Sequence, residues 1–140
     1  MKDKDFMHIA INVAKRADFP YGAIIVKNGK IIAKAGTASK KNIDPTSHAE
    51  ISAIRKACKK LKSKELKGCI IYSTCEPCPM CFTAIWWAKV DRIVYGMTLK
   101  DSSRLMGKEL EVSCKFLNKR GGNRIKIIQI LRNECLKMFA

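Results

Sequence analysis

Two short segments carry residue types that can bind a soft metal ion and move protons. One is Ser47-His48-Ala49-Glu50, and the other is Glu76-Pro77-Cys78-Pro79-Met80-Cys81. Cys78 and Cys81 are three positions apart, so at the start of a helix both sulfurs can face one ion. A helix N-terminus also stabilises a thiolate through its free N–H groups and its dipole. His48 supplies a third, neutral ligand. Two thiolates and an imidazole suit Zn²⁺, and three protein ligands leave the fourth tetrahedral position for water, as in a catalytic rather than a closed structural site. Glu50 stands two residues after His48. In mid-helix those side chains would diverge, but in a first turn both reach the space beyond the helix end. A carboxylate there can take a proton from activated water and pass it to a ring nitrogen and a departing amine. A structural zinc would want a fourth ligand. The only other histidine, His8, falls in an N-terminal helical stretch.

These residues need helices that start in the right places, and the pattern predicts them. Residues 3–17 put Phe6, Ile9, Ala10, Val13 and Ala17 on one helical face until Pro20 and Gly22 break the pattern. Tyr21–Lys27 and Lys30–Ala35 read as strands joined by Asn28-Gly29, a strong hairpin signal. Residues 36–47 read as a loop ending in Asp44-Pro45-Thr46, a cap and first turn for a helix that runs to Leu61 with Ile51, Ile54, Cys58 and Leu61 on its apolar face. Cys69–Tyr72 reads as a strand, 78–88 as a helix opened by Pro77, and Arg92–Met97 as a strand. Residues 98–124 are mixed, with helix near 101–117 and a turn at Gly121-Gly122. Ile125–Ile130 is a last strand and Leu131–Phe139 a terminal helix. Strands alternating with helices after an opening hairpin predict an α/β fold, a three-layer α/β/α sandwich around a mixed five-stranded sheet.

The 140 residues, 47% hydrophobic and 29% charged, predict one domain spanning 1–140. No apolar run approaches the roughly 20 residues of a membrane span. Met1–Asp5 is charged and lacks the apolar stretch of a secretion signal, so the expected location is the cytoplasm. Seven cysteines, an odd number, argue for reduced thiols rather than a disulfide framework. The net charge of +16 has two readings: attraction of a polyanion such as RNA, or a lysine bias that keeps the protein soluble. The lysines are scattered, with the densest groups at Lys40-Lys41, Lys59 to Lys64 and Lys119-Arg120.

His-x-Glu together with Pro-Cys-x-x-Cys, thirty residues apart, is the signature of zinc deaminases. The chain resembles the cytidine-deaminase-like superfamily over nearly its whole length. It is most similar to bacterial-type guanine deaminases, with tRNA adenosine deaminases next. The matching stretches are Pro20 to Val26, Asp44 to Glu50, Ala53 to Cys58 and Cys75 to Cys81. Trp86-Trp87-Ala88 resembles the aromatic-Trp-Ala run of the guanine deaminases. The resemblance implies a Zn²⁺ cofactor, Glu50 as the catalytic acid–base, a small nucleobase substrate and a homodimer or larger assembly. Of Trp86 and Trp87, adjacent on a helix, one is expected in the core and the other at an interface or pocket wall.

Two departures bear on the substrate. Purine-specific members carry an Asn seven residues before the Asp of Asp-Pro-Thr; here that position is Thr37, with Asn42 nearby but out of register. The ending Arg132 to Phe139 looks more like tRNA adenosine deaminases or fungal-type cytosine deaminases than like the longer, aromatic-bearing tail of guanine deaminases. The resemblance points to Thr37, with Asn42 beside it, and to Asp101, with Glu109 its alternative in the segment where relatives hold base-reading acids, as substrate contacts; Phe19, just before Pro20, reads as a base-stacking wall or as core packing. Four functions follow in order: deamination of a free base, guanine first; adenosine-to-inosine conversion in tRNA; deamination of cytosine or cytidine; and, from another class, a non-enzymatic zinc-stabilised nucleic-acid-binding protein.

Overall fold

The computed structural model describes residues 1–139. Five strands form one mixed sheet in the order β2-β1-β3-β4-β5. β1 (Gly22–Lys27) pairs antiparallel with both β2 (Lys30–Gly36) and β3 (Cys69–Cys75), while β4 (Arg92–Met97) and β5 (Lys126–Gln129) continue parallel to β3. Asn28 and Gly29, both at positive φ, close the hairpin as their types predict. Helices cover both faces: α1 (Asp3–Lys15) and the terminal α7 (Arg132–Leu136) pack on one, and α3 (Ala49–Leu61), α4 (Pro79–Trp87) and α6 (Cys114–Arg120) on the other. The three-layer α/β/α expectation is met. Among the described residues no helix is long and apolar enough to cross a membrane.

Alternation along β1 shows how the layers divide. Ala23 and Ile25 face α3, whereas Ile24 and Val26 face α1. Every one of these is buried, as expected of a strand covered on both sides. The helices meet the sheet through faces that overlap those predicted but are rotated from them. On α1 the buried residues are Phe6, Met7, Ala10, Ile11 and Ala14, with Ile9 and Val13 only partly covered. On α3 they are Ala49, Ala53 and Ala57, while Ile51, Ile54, Cys58 and Leu61 lie at the margin. The reason is distance. On α3 the alanine row lets the helix axis approach the sheet, and its larger residues then pack around the edges of that contact.

The predicted helix over 101–117 is two helices. α5 (Leu99–Met106) ends before Gly107, and α6 begins at Cys114 after an extended connection. Thr98 and Asp101 form a capping box at the start of α5, and the Ser113 hydroxyl accepts from Phe116 N–H at the start of α6. Two strong N-caps in one stretch explain the break. The loop 36–47 also contains one helical turn, α2 (Ser39–Asn42), and residues 44–47 remain a turn outside α3.

Gly22 shows how tightly α1 is seated. A Cβ there would lie 2.5 Å from Ala10 O and 2.7 Å from Ala14 N, both backbone atoms that cannot yield without moving the helix. Gly22→Ala is expected to destabilise the protein by about 1–3 kcal/mol, the usual size of core overpacking, and to lower Tm by several degrees. Calorimetry of wild type and variant side by side checks this, and an unchanged Tm would show that α1 can lift away freely.

Candidate active site

His48 and Cys78 hold equivalent positions. Each is the N-cap of its helix in extended conformation, His48 for α3 (φ −69°, ψ 158°) and Cys78 for α4 (φ −66°, ψ 169°). An N-cap side chain ordinarily turns back to bond the free N–H groups of its own helix. Neither does so here, which leaves imidazole and thiol free to share a space beyond the two helix ends. Pro79 presets the first helical φ behind Cys78, and Cys81 follows one turn in.

His48 Nδ1 lies 3.6 Å from Cys78 Sγ and 3.5 Å from Cys81 Sγ, and all three ligand atoms fall within 4.8 Å of one another. A tetrahedral Zn²⁺ about 2.3 Å from sulfur and about 2.0 Å from nitrogen places N and S about 3.6 Å apart. The observed separations are therefore edges of such a tetrahedron, and the donor set fits zinc. Among the described residues no fourth His, Cys, Asp or Glu joins the group. The other five cysteines are free thiols, and burial raises Cys75 and Cys135 away from reactivity.

The loop before His48 is held by Asp44. Its carboxylate accepts from Thr46 N (2.8 Å), Thr46 Oγ1 (2.7 Å) and Ser47 Oγ (3.1 Å), bonds that also hold it ionised. Ala38 N–H then donates to Ser47 O at 2.9 Å, tying this turn to the end of β2. Electrostatics follow the same geometry. A hydrogen bond from Cys81, aided by His48 and opposed by burial, holds the Cys78 thiol down at about 4. Donating that bond pushes Cys81 far above an ordinary thiol, and the Cys78 sulfur raises His48. Glu50 is the second residue of α3 and is buried, and burial, with the Cys78 charge adding, pushes its carboxyl up to about 7. A group so placed can hold and release a proton near neutrality.

The ligand cluster and Glu50 open onto a cavity of about 270 Å³, small beside the roughly 300–1,000 Å³ of sites for drug-sized ligands. Phe19 and Thr37 line it. Asn42 and Asp101 do not. Asn42 is exposed and donates to Ser47 Oγ at 3.2 Å, stiffening the loop. Asp101 is 2% exposed, and its carboxylate is occupied by Arg132 Nε (2.8 Å) and Nη2 (2.7 Å) and by Thr98 N (2.9 Å). The Arg132 pair holds it well below the usual carboxylate range. The acid that reaches the cavity from this segment is Glu109.

Glu109 ends a polar chain. Ser102 Oγ donates to Glu109 Oε2 at 2.7 Å and lies 2.6 Å from Tyr21 Oη. Since the serine has a single proton, Tyr21 must donate to it. Burial keeps the Tyr21 phenol neutral by raising it to about 12. Glu76 is a further cavity residue whose role the sequence did not reveal. Its carboxylate accepts Leu99 N (3.1 Å) and Cys114 N (3.0 Å), so the residue preceding the Pro-Cys motif hangs both α5 and α6 over the site. The available signal was a carboxylate in a segment otherwise destined for burial, which demands a partner.

The model of the cytidine and deoxycytidylate deaminase zinc-binding region matches residues 1–97. The chain is 49% identical over 121 residues to the guanine deaminase of Bacillus subtilis (strain 168), covering 86% of this chain and 77% of that protein. It is 38% identical over 146 residues to the tRNA-specific adenosine deaminase of Buchnera aphidicola subsp. Baizongia pistaciae, covering 99% and 86%. A solved structure from a study of A-to-I editing by tRNA:A34 deaminases superposes with TM-score 0.81 and 31% identity, over 96% of this chain and 99% of that one.

The geometry generates a metal prediction. Purified wild-type protein is expected to carry one zinc per chain, and Cys81→Ala to lose it, whereas Glu50→Gln keeps both metal and fold. Elemental analysis alongside circular dichroism checks this. Full zinc occupancy in Cys81→Ala would remove that sulfur from the ligand set.

Proposed function

Because the chain belongs to the cytidine and deoxycytidylate deaminase family and is a zinc-dependent hydrolase of the nucleobase C–N bond, we propose that its substrate is free guanine, converted with water to xanthine and ammonia. His48, Cys78 and Cys81 hold the ion in this reading, and residues 1–140 act as one domain. Zinc bound there supplies the Lewis acidity that makes water nucleophilic at neutral pH. Glu50 receives one proton as water adds to the amine-bearing carbon and delivers it to the adjacent ring nitrogen; it then takes the second proton from the newly added hydroxyl and passes it to the amine as the C–N bond breaks.

The observation that carries guanine is Glu109 in the cavity wall. A carboxylate can only accept. With Oε2 taken by Ser102, its second oxygen makes no hydrogen bond among the described residues and can receive one from a substrate. Guanine offers ring N–H donors besides the amine it loses. Adenine attached to ribose in RNA presents only acceptors at its remaining ring nitrogens and would leave the carboxylate unpaired, the kind of mismatch that discriminates strongly. Thr37 agrees, because its hydroxyl proton points to Ser47 O at 3.4 Å and leaves lone pairs for the cavity. Free cytosine also has a ring N–H, so it stands as a weaker substrate. Inosine formation in tRNA is the second reading, favoured by the +16 charge, which bears on polyanion affinity rather than on which base fits. The guanine reading places the enzyme in purine metabolism.

We also assign the protein to the cytoplasm, where its free thiols stay reduced, and to a homodimer. Ile43, Leu110 and Phe116 are 92%, 75% and 55% exposed and supply apolar surface for such contact. Light scattering at micromolar concentration should return at least twice the 15.8 kDa chain mass; a monomer there would remove the dimer.

The substrate prediction is tested with guanine, cytosine, adenine and a tRNA anticodon stem-loop side by side, following ammonia and inosine. Guanine should react fastest, Glu50→Gln should lower its turnover about 10²–10⁴-fold, and Glu109→Gln should raise KM for guanine more than for cytosine. Robust inosine formation without activity on any free base would make tRNA the substrate.

A further inference from the structure

A second concavity lies at the opposite end of the molecule. The active-site cavity sits where β3 and β4 end, beside Cys75 and Leu99, whereas the second sits where those strands begin. There Leu66 N donates to Ala88 O (2.6 Å), Asp91 N to Cys69 O (3.0 Å) and Lys126 N to Asp91 O (3.1 Å), gathering the segments after α3, after α4 and before β5. The length of the strands separates the two sites by about 20 Å.

Its volume is about 590 Å³, and Trp86, Trp87, Lys64, Lys89, Arg124 and Glu65 are among its walls. The tryptophans have divided roles. Trp86 packs against the core and donates from Nε1 to Gly121 O at 3.1 Å. Trp87 is 70% exposed and meets the edge of Trp86, ring centroids 5.1 Å apart at 87°. Nothing in the fold uses its outer face. Arg124 lies 4.3 Å over the Trp86 ring and donates to Trp86 O at 3.1 Å, so this guanidinium is already ordered beside the open indole.

The charge around Trp87 is predominantly positive. Lys59, Lys60, Lys62 and Lys64 lead into the cavity from the end of α3, all exposed. Among the described residues neither they nor Lys89 and Arg124 form an ion pair. The one carboxylate in the wall, Glu65, is paired with Lys67 at 3.2 Å. Lysines in the last turn of α3 suit the helix dipole, which accounts for Lys59 and Lys60. It accounts for neither Arg124 nor the exposed Trp87.

We propose that this end of the molecule is a docking surface for single-stranded nucleic acid, on which a base stacks against Trp87 while Lys64, Lys89 and Arg124 take the flanking phosphates. An open indole ringed by unpaired cations is the arrangement that binds such strands without reading sequence. A second copy centred on this patch fits poorly, because a two-fold axis passing through it would set these cations against their own copies. The surface is independent of substrate choice: it holds the enzyme on RNA and leaves the distant cavity open.

The test uses the zinc-loaded full chain, a fluorescent oligouridylate of about 16 nucleotides, and anisotropy titrations at several salt concentrations. Wild type should bind with affinity falling linearly in log salt. Trp87→Ala should weaken binding about 5- to 100-fold at fixed salt, and Lys64→Gln with Lys89→Gln should reduce the salt slope by about 1–2. Guanine turnover should not change in either variant. Wild-type binding in both would overturn the proposal and move the RNA elsewhere. Tighter binding of poly-glutamate than of the oligonucleotide would overturn it in favour of an acidic protein. Loss of the dimer in Trp87→Ala, seen by light scattering, would overturn it in favour of a second copy.

Discussion

The structure depends on bringing three ligand atoms from two helices, 30 to 33 residues apart in sequence, to within the edge length of one tetrahedron. Neither helix can do this alone. The two N-termini must meet at the same end of the sheet, and the residue at each cap must leave its own helix uncapped. Much of the fold serves that demand. The alanine row of α3 seats the helix close to the sheet, and Pro79 sets the entry to α4. The Asp44 turn then fixes the direction from which the chain reaches His48.

The same junctions set the chemistry. Free N–H groups at two helix ends favour negative charge on the sulfurs, while burial of Glu50 between α3 and the sheet opposes a permanent charge on its carboxyl. Charge is thus concentrated on the sulfurs and left movable on the buried carboxyl. Glu76 links this centre to its cover. By accepting the first N–H groups of α5 and α6 regions it makes the position of the Pro-Cys segment and the position of the roof one variable. Removing one partner of such a buried, charge-assisted pair leaves the other unsatisfied, so the roof and the metal loop are coupled mechanically.

The roof in turn determines which acid faces the cavity. Asp101 is drawn away by Arg132 of α7 and by its duty in the α5 capping box. Glu109, in the extended connection between α5 and α6, is left to face the cavity with Ser102 and Tyr21 behind it. The terminal helix, remote in sequence, thereby decides which of the two acids lines the cavity.

What the sequence determined by itself was local. His48, Glu50, Cys78 and Cys81 sit within one or two turns of a helix start, and their types and short spacings state their chemistry wherever the helices lie. The hairpin at Asn28-Gly29 and the alternation of strands and helices likewise depend on neighbours only, so the mixed sheet and its layers were legible. The tertiary structure decided what depends on distance across the chain. The apolar residues of α1 and α3 offered overlapping faces, and contact with the sheet chose among them, taking the alanine row on α3 and a mixed face of Phe6, Met7, Ala10, Ile11 and Ala14 on α1. Asn42 and Asp101 carried suitable groups but were spent on other partners, while Glu109 was not. Trp86 and Trp87 were indistinguishable as neighbours until Gly121 and Arg124, more than thirty residues on, bonded to the first and left the second open. A side chain's type is written in the sequence, but whether its bonding capacity is already used is settled only by packing.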